Sequence, residues 1–182
     1  MRILAVADIH SDDDFALDPE SMGIDLVVTL GDVPLGLIEV ILLKKRSVAY
    51  FGVNGNHDHG FVPKYANVHR KVFPFRDLRI GGFEGAPKVS GEAKSHAFTD
   101  RQVSRRMWWM PRVDIFLAHS PPRGIHDRQD PLHTGFTAFE TYIRKQQPLL
   151  FLHGHVERNE ETQVGKTRVI SVFGKRIIDF EL

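Results

Sequence analysis

The sequence predicts an α/β protein whose parallel strands deliver their loops to one common edge. Three observations predict it. Apolar runs of strand length recur along the chain, and several end abruptly in a carboxylate or a histidine. Stretches of helical length lie between them. In the middle and the tail, shorter alternating pieces broken by Pro and Gly read as antiparallel strands.

The elements follow in order. "RILAVAD" is a buried strand ending in a carboxylate, and "IDLVVTLGD" is a second, ending in Gly-Asp. "GLIEVILLKKR" has helical length and a basic last turn, which suits a helix C-terminus. "SVAYFGVNGNHD" is a strand running into a Gly/Asn turn. "NVHRKVFPFRDLRIGGFEG" reads as antiparallel pieces, and the polar stretch from Gly81 to Ala97 as a mobile loop. "FTDRQVSRRMWWM" is an amphipathic helix with Thr99 or Asp100 as N-cap and Pro111 just past its end. "VDIFLAHSPP" is a strand ending at a histidine, "TGFTAFETYIRKQQP" a helix, and "LLFLHGH" a strand. The tail "TQVGKTRVISVFGKRIIDFEL" reads as an antiparallel meander turning at Gly165 and Gly174.

Composition bounds the function. The 182 residues suit one domain, and 42% hydrophobic with 26% charged residues is a globular profile. A net charge of +1 gives no global attraction to nucleic acid or membrane. With no cysteine, disulfides and thiolate metal sites are excluded, so any metal must be held by His, Asp, Glu, Asn or water. No apolar run reaches membrane length and "MRILAVADIH" does not fit a signal peptide, so the expectation is a cytoplasmic protein.

Five apolar strands end in metal-type residues: Asp8 and His10, Asp32, Asn56 with His57 and Asp58, His119, and His155 with Glu157. In open α/β sheets ligands bind outside the carboxyl ends of parallel strands, so these five ends point into one crevice. Carboxylates, imidazoles and an Asn carbonyl together suit two divalent ions, with one carboxylate bridging. Asp32 follows a glycine that permits close approach. Two such ions clamp a phosphate and acidify a shared water, which points to metal-assisted hydrolysis of a phosphate ester.

The pieces, in this order, resemble the calcineurin-like metallophosphoesterase superfamily, whose pattern runs Asp-x-His, Gly-Asp, Gly-Asn-His-Asp/Glu, His, Gly-His-x-His. The matches are Asp8 and His10, Gly31-Asp32, Gly55-Asn56-His57-Asp58, His119, and Gly154-His155. The stretch from Val113 to Glu140 is also similar to the small single-domain branch that includes the metallophosphodiesterase-domain proteins. The resemblance implies a four-layer αββα sandwich: two mixed β-sheets flanked by helices, as one domain over residues 1–182 without a cap domain. It implies that Asp8, His10 and the last position of the pattern hold a first metal. Asn56, His119 and His155 hold a second, and Asp32 bridges. His57 would be the general acid at the leaving-group oxygen, oriented by Asp58, and the nucleophile a metal-bridging hydroxide.

The pattern's last histidine is Glu157 here. Three readings compete: Glu157 as a carboxylate ligand of the first metal, Glu157 turned away with that metal weakly held, or a register in which His153 and His155 form the pair. The first is favoured, because residues i and i+2 share a face of extended backbone, and His153 then has a supporting role. The donor set favours Mn²⁺, with Fe²⁺, Mg²⁺, Zn²⁺ and Ni²⁺ as alternatives.

The loop "HSPPRGIHDRQDPLHTGF" offers Arg123 and His133, with Asn56, to bind the phosphate oxygens of a small phosphodiester or monoester, a nucleotide included. The expected assembly is a monomer or small homo-oligomer, with neither membrane nor nucleic acid as partner. Competing functions are a nuclease, and a protein-binding scaffold with a weakened first metal site.

Overall fold

The computed structural model describes residues 1–9, 18–45, 47–89 and 94–181. Strands β1 (Arg2–Ala7) and β2 (Leu26–Leu30) come first, then helix α1 (Leu35–Lys44) and β3 (Ala49–Val53). β4 (Val72–Phe75), β5 (Leu78–Phe83), β6 (Ala86–Pro87) and β7 (Ala97–Phe98) precede α2 (Asp100–Met107). β8 (Ile115–Ala118), α3 (Thr137–Gln146) and β9 (Leu150–His153) follow, then β10 (Glu161–Val164), β11 (Thr167–Ser171) and β12 (Gly174–Asp179).

Two mixed sheets face each other. The first runs β12-β1-β2-β3 and the second β10-β11-β9-β8-β5-β4, while β6 and β7 form a separate short pair. In the first, β1, β2 and β3 are parallel and β12 lies antiparallel to β1. In the second, β11, β9, β8 and β5 are parallel, with antiparallel edges β10 and β4.

Alternation of side chains builds the layers. Ile3, Ala5, Leu26 and Val28 face inward from the first sheet and meet Ile80, Ile115, Leu117 and Leu152 of the second. On the outer face of the first sheet, Leu4, Val6 and Val27 pack on Ile38 and Ile41 of α1. On the outer face of the second, Phe116, Phe151 and Val169 pack on Val103 and Met107 of α2 and on Phe139 and Ile143 of α3. The result is the expected αββα sandwich. Because both faces of the central strands are covered, their sequences read as continuous apolar runs.

Local details sharpen the sequence reading. Thr99 is the N-cap of α2 and forms a capping box with Gln102. The helix ends at Met107, leaving Trp108 and Trp109 exposed. The tail is not a meander. β10 and β11 form a hairpin, but β11 pairs in parallel with β9, and β12 crosses to the other sheet to pair with β1. The stretch read as a loop from Gly81 is partly ordered: Gly81–Phe83 belongs to β5, and Ala86–Pro87 pairs with Ala97–Phe98. Residues 90–93 of that stretch lie outside the described residues. Among the described residues, no helix is long and apolar enough to cross a membrane.

Candidate metal centre

Strand ends from both sheets meet at one edge of the sandwich. Beyond β1, Asp8 donates from its backbone to Gly31 O (3.1 Å) and Ile9 to Asp32 O (3.0 Å), which locks the first two ends together. Gly154 N donates to His119 O (2.9 Å), which does the same for β9 and β8. Asp8 Oδ2 accepts from His155 N at 2.6 Å and so joins the two sheets. Three glycines make the approach close enough. A Cβ on Gly55 would lie 2.1 Å from Asp32 Oδ1, one on Gly154 2.7 Å from Asp8 Oδ2, and one on Gly31 2.5 Å from His119 Nδ1. Asp8, Asp32 and His155 adopt left-handed backbone (φ 51°, 52° and 72°), a strained conformation that non-glycine residues keep where the surroundings impose it.

At the centre, one ligand atom each of Asp32, His119 and His155 lies within 4.8 Å of the others. The His119 and His155 ring centroids are 4.7 Å apart. His119 is fully buried. Its Nδ1 sits 2.8 Å from Leu30 O, a carbonyl that only accepts, so Nδ1 carries hydrogen. Its Nε2 faces Asn56 Oδ1 at 2.9 Å and Asp32 Oδ2 at 3.4 Å, both acceptors, so this nitrogen carries the proton that they share. Asn56 keeps its oxygen turned inward although its Nδ2 is left buried without a partner. His155 Nε2 likewise donates to Leu132 O at 2.7 Å, which leaves Nδ1 as its lone pair.

A divalent cation in place of that shared proton would take His119 Nε2, Asn56 Oδ1, Asp32 Oδ2 and His155 Nδ1 as ligands at once. The electrostatics agree. Burial pushes His155 down to about 3, so the ring is neutral and ready to ligate. Burial also disfavours charge on His119, but Asp32 and Asp8 outweigh it and hold its proton up to about 9. Asp32 would be raised by burial, yet His119 and the His57 N–H hold it well below the usual carboxylate range. A site that needs positive charge this strongly fits a metal ion.

The neighbouring residues divide into groups. Asp58 is buried, and its Oδ2 accepts from Asp32 N (2.9 Å) and Gly55 N (2.7 Å). It therefore braces the β2 and β3 loops. A hydrogen bond to the His57 ring is not among those of the described residues. His57 is exposed and donates its backbone N–H to Asp32 Oδ1 at 2.9 Å. It lines an open cleft with Ile9, Asp32, Val33, Pro34, Asp58 and Phe61. His133 lies beside His155, with centroids 5.2 Å apart, and its Nδ1 is held 2.8 Å from Asp130 Oδ1. The sequence reading missed Asp130, whose Asp-x-x-His spacing in a turn was the available signal. Arg123 directs Nε to Gly135 O at 2.7 Å within its own loop. His153 is fully buried in a relay: its Nδ1 donates to Gly154 O and its Nε2 accepts from His126. Glu157 is exposed, and with positive φ at both His155 (72°) and Glu157 (51°) the segment is not the extended backbone from which its ligand role was argued, so the shared-face reason does not hold. His10 lies outside the described residues.

A family model for calcineurin-like phosphoesterases matches residues 1–158. The chain belongs to that family. Calcineurin-like phosphoesterases depend on two metal ions, and the centre just described is where this one offers the donors. No curated protein matches the chain. Among solved structures, a protein from Thermus thermophilus superposes with a TM-score of 0.67 at 18% identity, covering 95% of this chain and 89% of that one. A dimetal phosphatase from Danio rerio gives 0.58 at 13% identity, covering 95% and 87%. A putative 5'-nucleotidase from Staphylococcus aureus gives 0.57 at 12%, covering 99% of this chain and 51% of that one. At such identities the likeness carries the calcineurin-like fold alone.

Proposed function

We propose that this metallophosphoesterase is a single-domain, cytoplasmic phosphodiesterase that also accepts phosphomonoesters and uses two divalent ions, Mn²⁺ first. The observation that carries the reading is the convergence of Asn56 Oδ1 and Asp32 Oδ2 within 3.4 Å of His119 Nε2, three ligand atoms that a divalent cation would join once it displaces the His119 proton. Asp8, His10, Asp32 and Glu157 would hold one ion, and Asp32, Asn56, His119 and His155 the other. The chemistry such ions supply is Lewis acidity and a water acidified enough to attack phosphorus near neutral pH. The chain's residues do the rest. Asp32 sits between the two donor groups, its conformation fixed by the His57 N–H and by Asp58. His57, exposed in the cleft beside Asp32, delivers a proton to the leaving-group oxygen. His133, anchored by Asp130 beside His155, and Arg123, through its terminal guanidinium nitrogens, would bind the phosphate oxygens.

The test is a panel of bis(p-nitrophenyl) phosphate, p-nitrophenyl phosphate and cyclic nucleotides with each metal added in turn. A higher kcat/KM for the diester supports the reading, and monoester preference at every metal rejects the diester assignment. A Glu157→His variant tests the first-ion shell. Replacing a carboxylate by a neutral imidazole should tighten metal binding there or shift the pH optimum downward. Unchanged metal content, activity and pH profile would remove Glu157 from the ligand set.

A further inference from the structure

Next to the metal centre lies a buried polar cluster that the reaction as described does not use. Glu84, at the end of β5, is buried. Its Oε2 accepts from Asn54 Nδ2 at 2.9 Å and Asn67 Nδ2 at 3.3 Å, and its Oε1 lies 3.3 Å from His96 Nδ1. Burial opposes its charge, but His96, His69 and Asn54 outweigh that and hold its carboxyl down to about 2. It is an ionised carboxylate with its lone pairs assigned, and one partner is a histidine that reaches solvent.

His96 is placed by backbone. Ala86 N donates to His96 O at 2.9 Å, and a Cβ on Gly85 would come within 2.1 Å of that oxygen. The Gly85 segment is in turn pinned between the β3 and β8 ends, through Gly85 N to Asn54 O (2.9 Å) and Ser120 Oγ to Gly85 O (3.1 Å). Asn54 precedes Gly55-Asn56, and Ser120 follows His119, so the cluster is built on the same two loops as the ligands. Ser95 Oγ meets His59 Nδ1 at 3.3 Å, which sets this segment against the loop that carries His57. Glu84 raises the His96 pKa against its partial burial, and the fields of Asp58 and Asp32 add to this. The side chain is 20% exposed. Nδ1 is taken by Glu84, and among the described residues Nε2 has no partner.

We infer that His96, oriented by Glu84, is a substrate-binding residue whose Nε2–H holds a non-bridging phosphoryl oxygen at the rim of the crevice. Glu84 and Asn54 are positioning residues that fix the ring and favour its donor form. This deepens the phosphoesterase reading and rests on it. The alternative is a staple that merely joins β7 to β5.

The experiment measures binding of inorganic phosphate to the Mn²⁺-loaded protein by calorimetry, with metal content and bis(p-nitrophenyl) phosphate kinetics in parallel. His96→Ala should weaken phosphate about tenfold and raise KM more than it lowers kcat, with metal content unchanged. Glu84→Gln should show part of the same loss, and His96→Gln, which keeps an N–H donor, should recover part of the affinity. Wild-type phosphate affinity and KM in His96→Ala would overturn the inference, and so would a loss matched by loss of metal. If the wild-type protein binds phosphate but hydrolyses no ester, the phosphoesterase reading fails while the binding comparison still decides the role of His96. If it binds no phosphate, both fail.

Discussion

At the residue scale, the partners of Asp58 and His69 give direct tests. Asp58 accepts from two backbone N–H groups that join the β2 and β3 loops. Asp58→Ala should cost ~2–5 kcal/mol of stability, because two buried donors lose their acceptor, and should lower metal content as well. Urea denaturation with metal analysis checks both. His69 gives a pH prediction. Its Nε2 lies 3.8 Å from Glu84 Oε1, yet burial outweighs that carboxylate and holds the ring down to about 4, so this contact involves a neutral histidine. Below the unfolded value of 6.5 the unfolded chain takes up a proton that the folded ring refuses. Stability therefore falls as pH drops from 6.5 to about 4. Glu84 acts in the next window. Its folded carboxyl titrates at about 2 against 4.5 unfolded, so its contribution is lost as pH falls between those values. Urea midpoints measured from pH 7 to pH 4 should decline, and His69→Gln should flatten that slope by up to ~1.4 kcal/mol per pH unit. An unaltered slope would show that His69 is protonated in the fold.

At the element scale, strand ends and glycines did most to make the site legible. Asp8, Asp32, Asn56, His119 and His155 each follow an apolar strand directly or within three residues, so locating the strands located the residues. Glycine beside Asp32, Asn56 and His155 marked the places where backbone must pass a ligand closely, and the Cβ distances at Gly31, Gly55 and Gly154 supply the reason. What stayed hidden depends on pairing across long sequence distance. An alternating tail strand carries no mark of which sheet it joins, so the crossing of β12 to β1 could not be read from Gly174 onward. The Glu84–His96 pair was equally hidden, because nothing local links a residue after β5 to one before β7. Two glycines test the reasoning in opposite directions. Gly55→Ala puts a Cβ 2.5 Å from Asp32 N as well as against its side chain, so it should cost ~1–3 kcal/mol and reduce bound metal. Gly36→Ala, in α1 with nothing within 4 Å of the new Cβ, should raise stability by ~0.5–1 kcal/mol and leave metal content alone. Thermal melts of the two variants, with metal analysis, distinguish a glycine required by the site from one that is only tolerated.

At the scale of the whole molecule, the centre draws its donors from both sheets, so an ion held there should tie the sandwich together. A ligand that binds only the folded state at a hundred times its Kd adds ~2.7 kcal/mol. For a chain of this length that corresponds to a Tm shift of about 5–10 °C, which chelation should remove and added Mn²⁺ restore. The same arrangement explains why no single motif was decisive. Each strand end contributes one or two atoms, and only the fold brings His119 from one sheet against Asp32 from the other. Asp32 is the residue both donor groups share in this account. The most direct test of the central claim is therefore the Mn²⁺-supplemented hydrolysis rate of bis(p-nitrophenyl) phosphate by wild-type protein and Asp32→Asn, prepared side by side. The account predicts metal-dependent turnover by the wild type and a rate at least ~100-fold lower in the variant. Equal rates in the two proteins, or no hydrolysis by the wild type with any divalent metal, would contradict it.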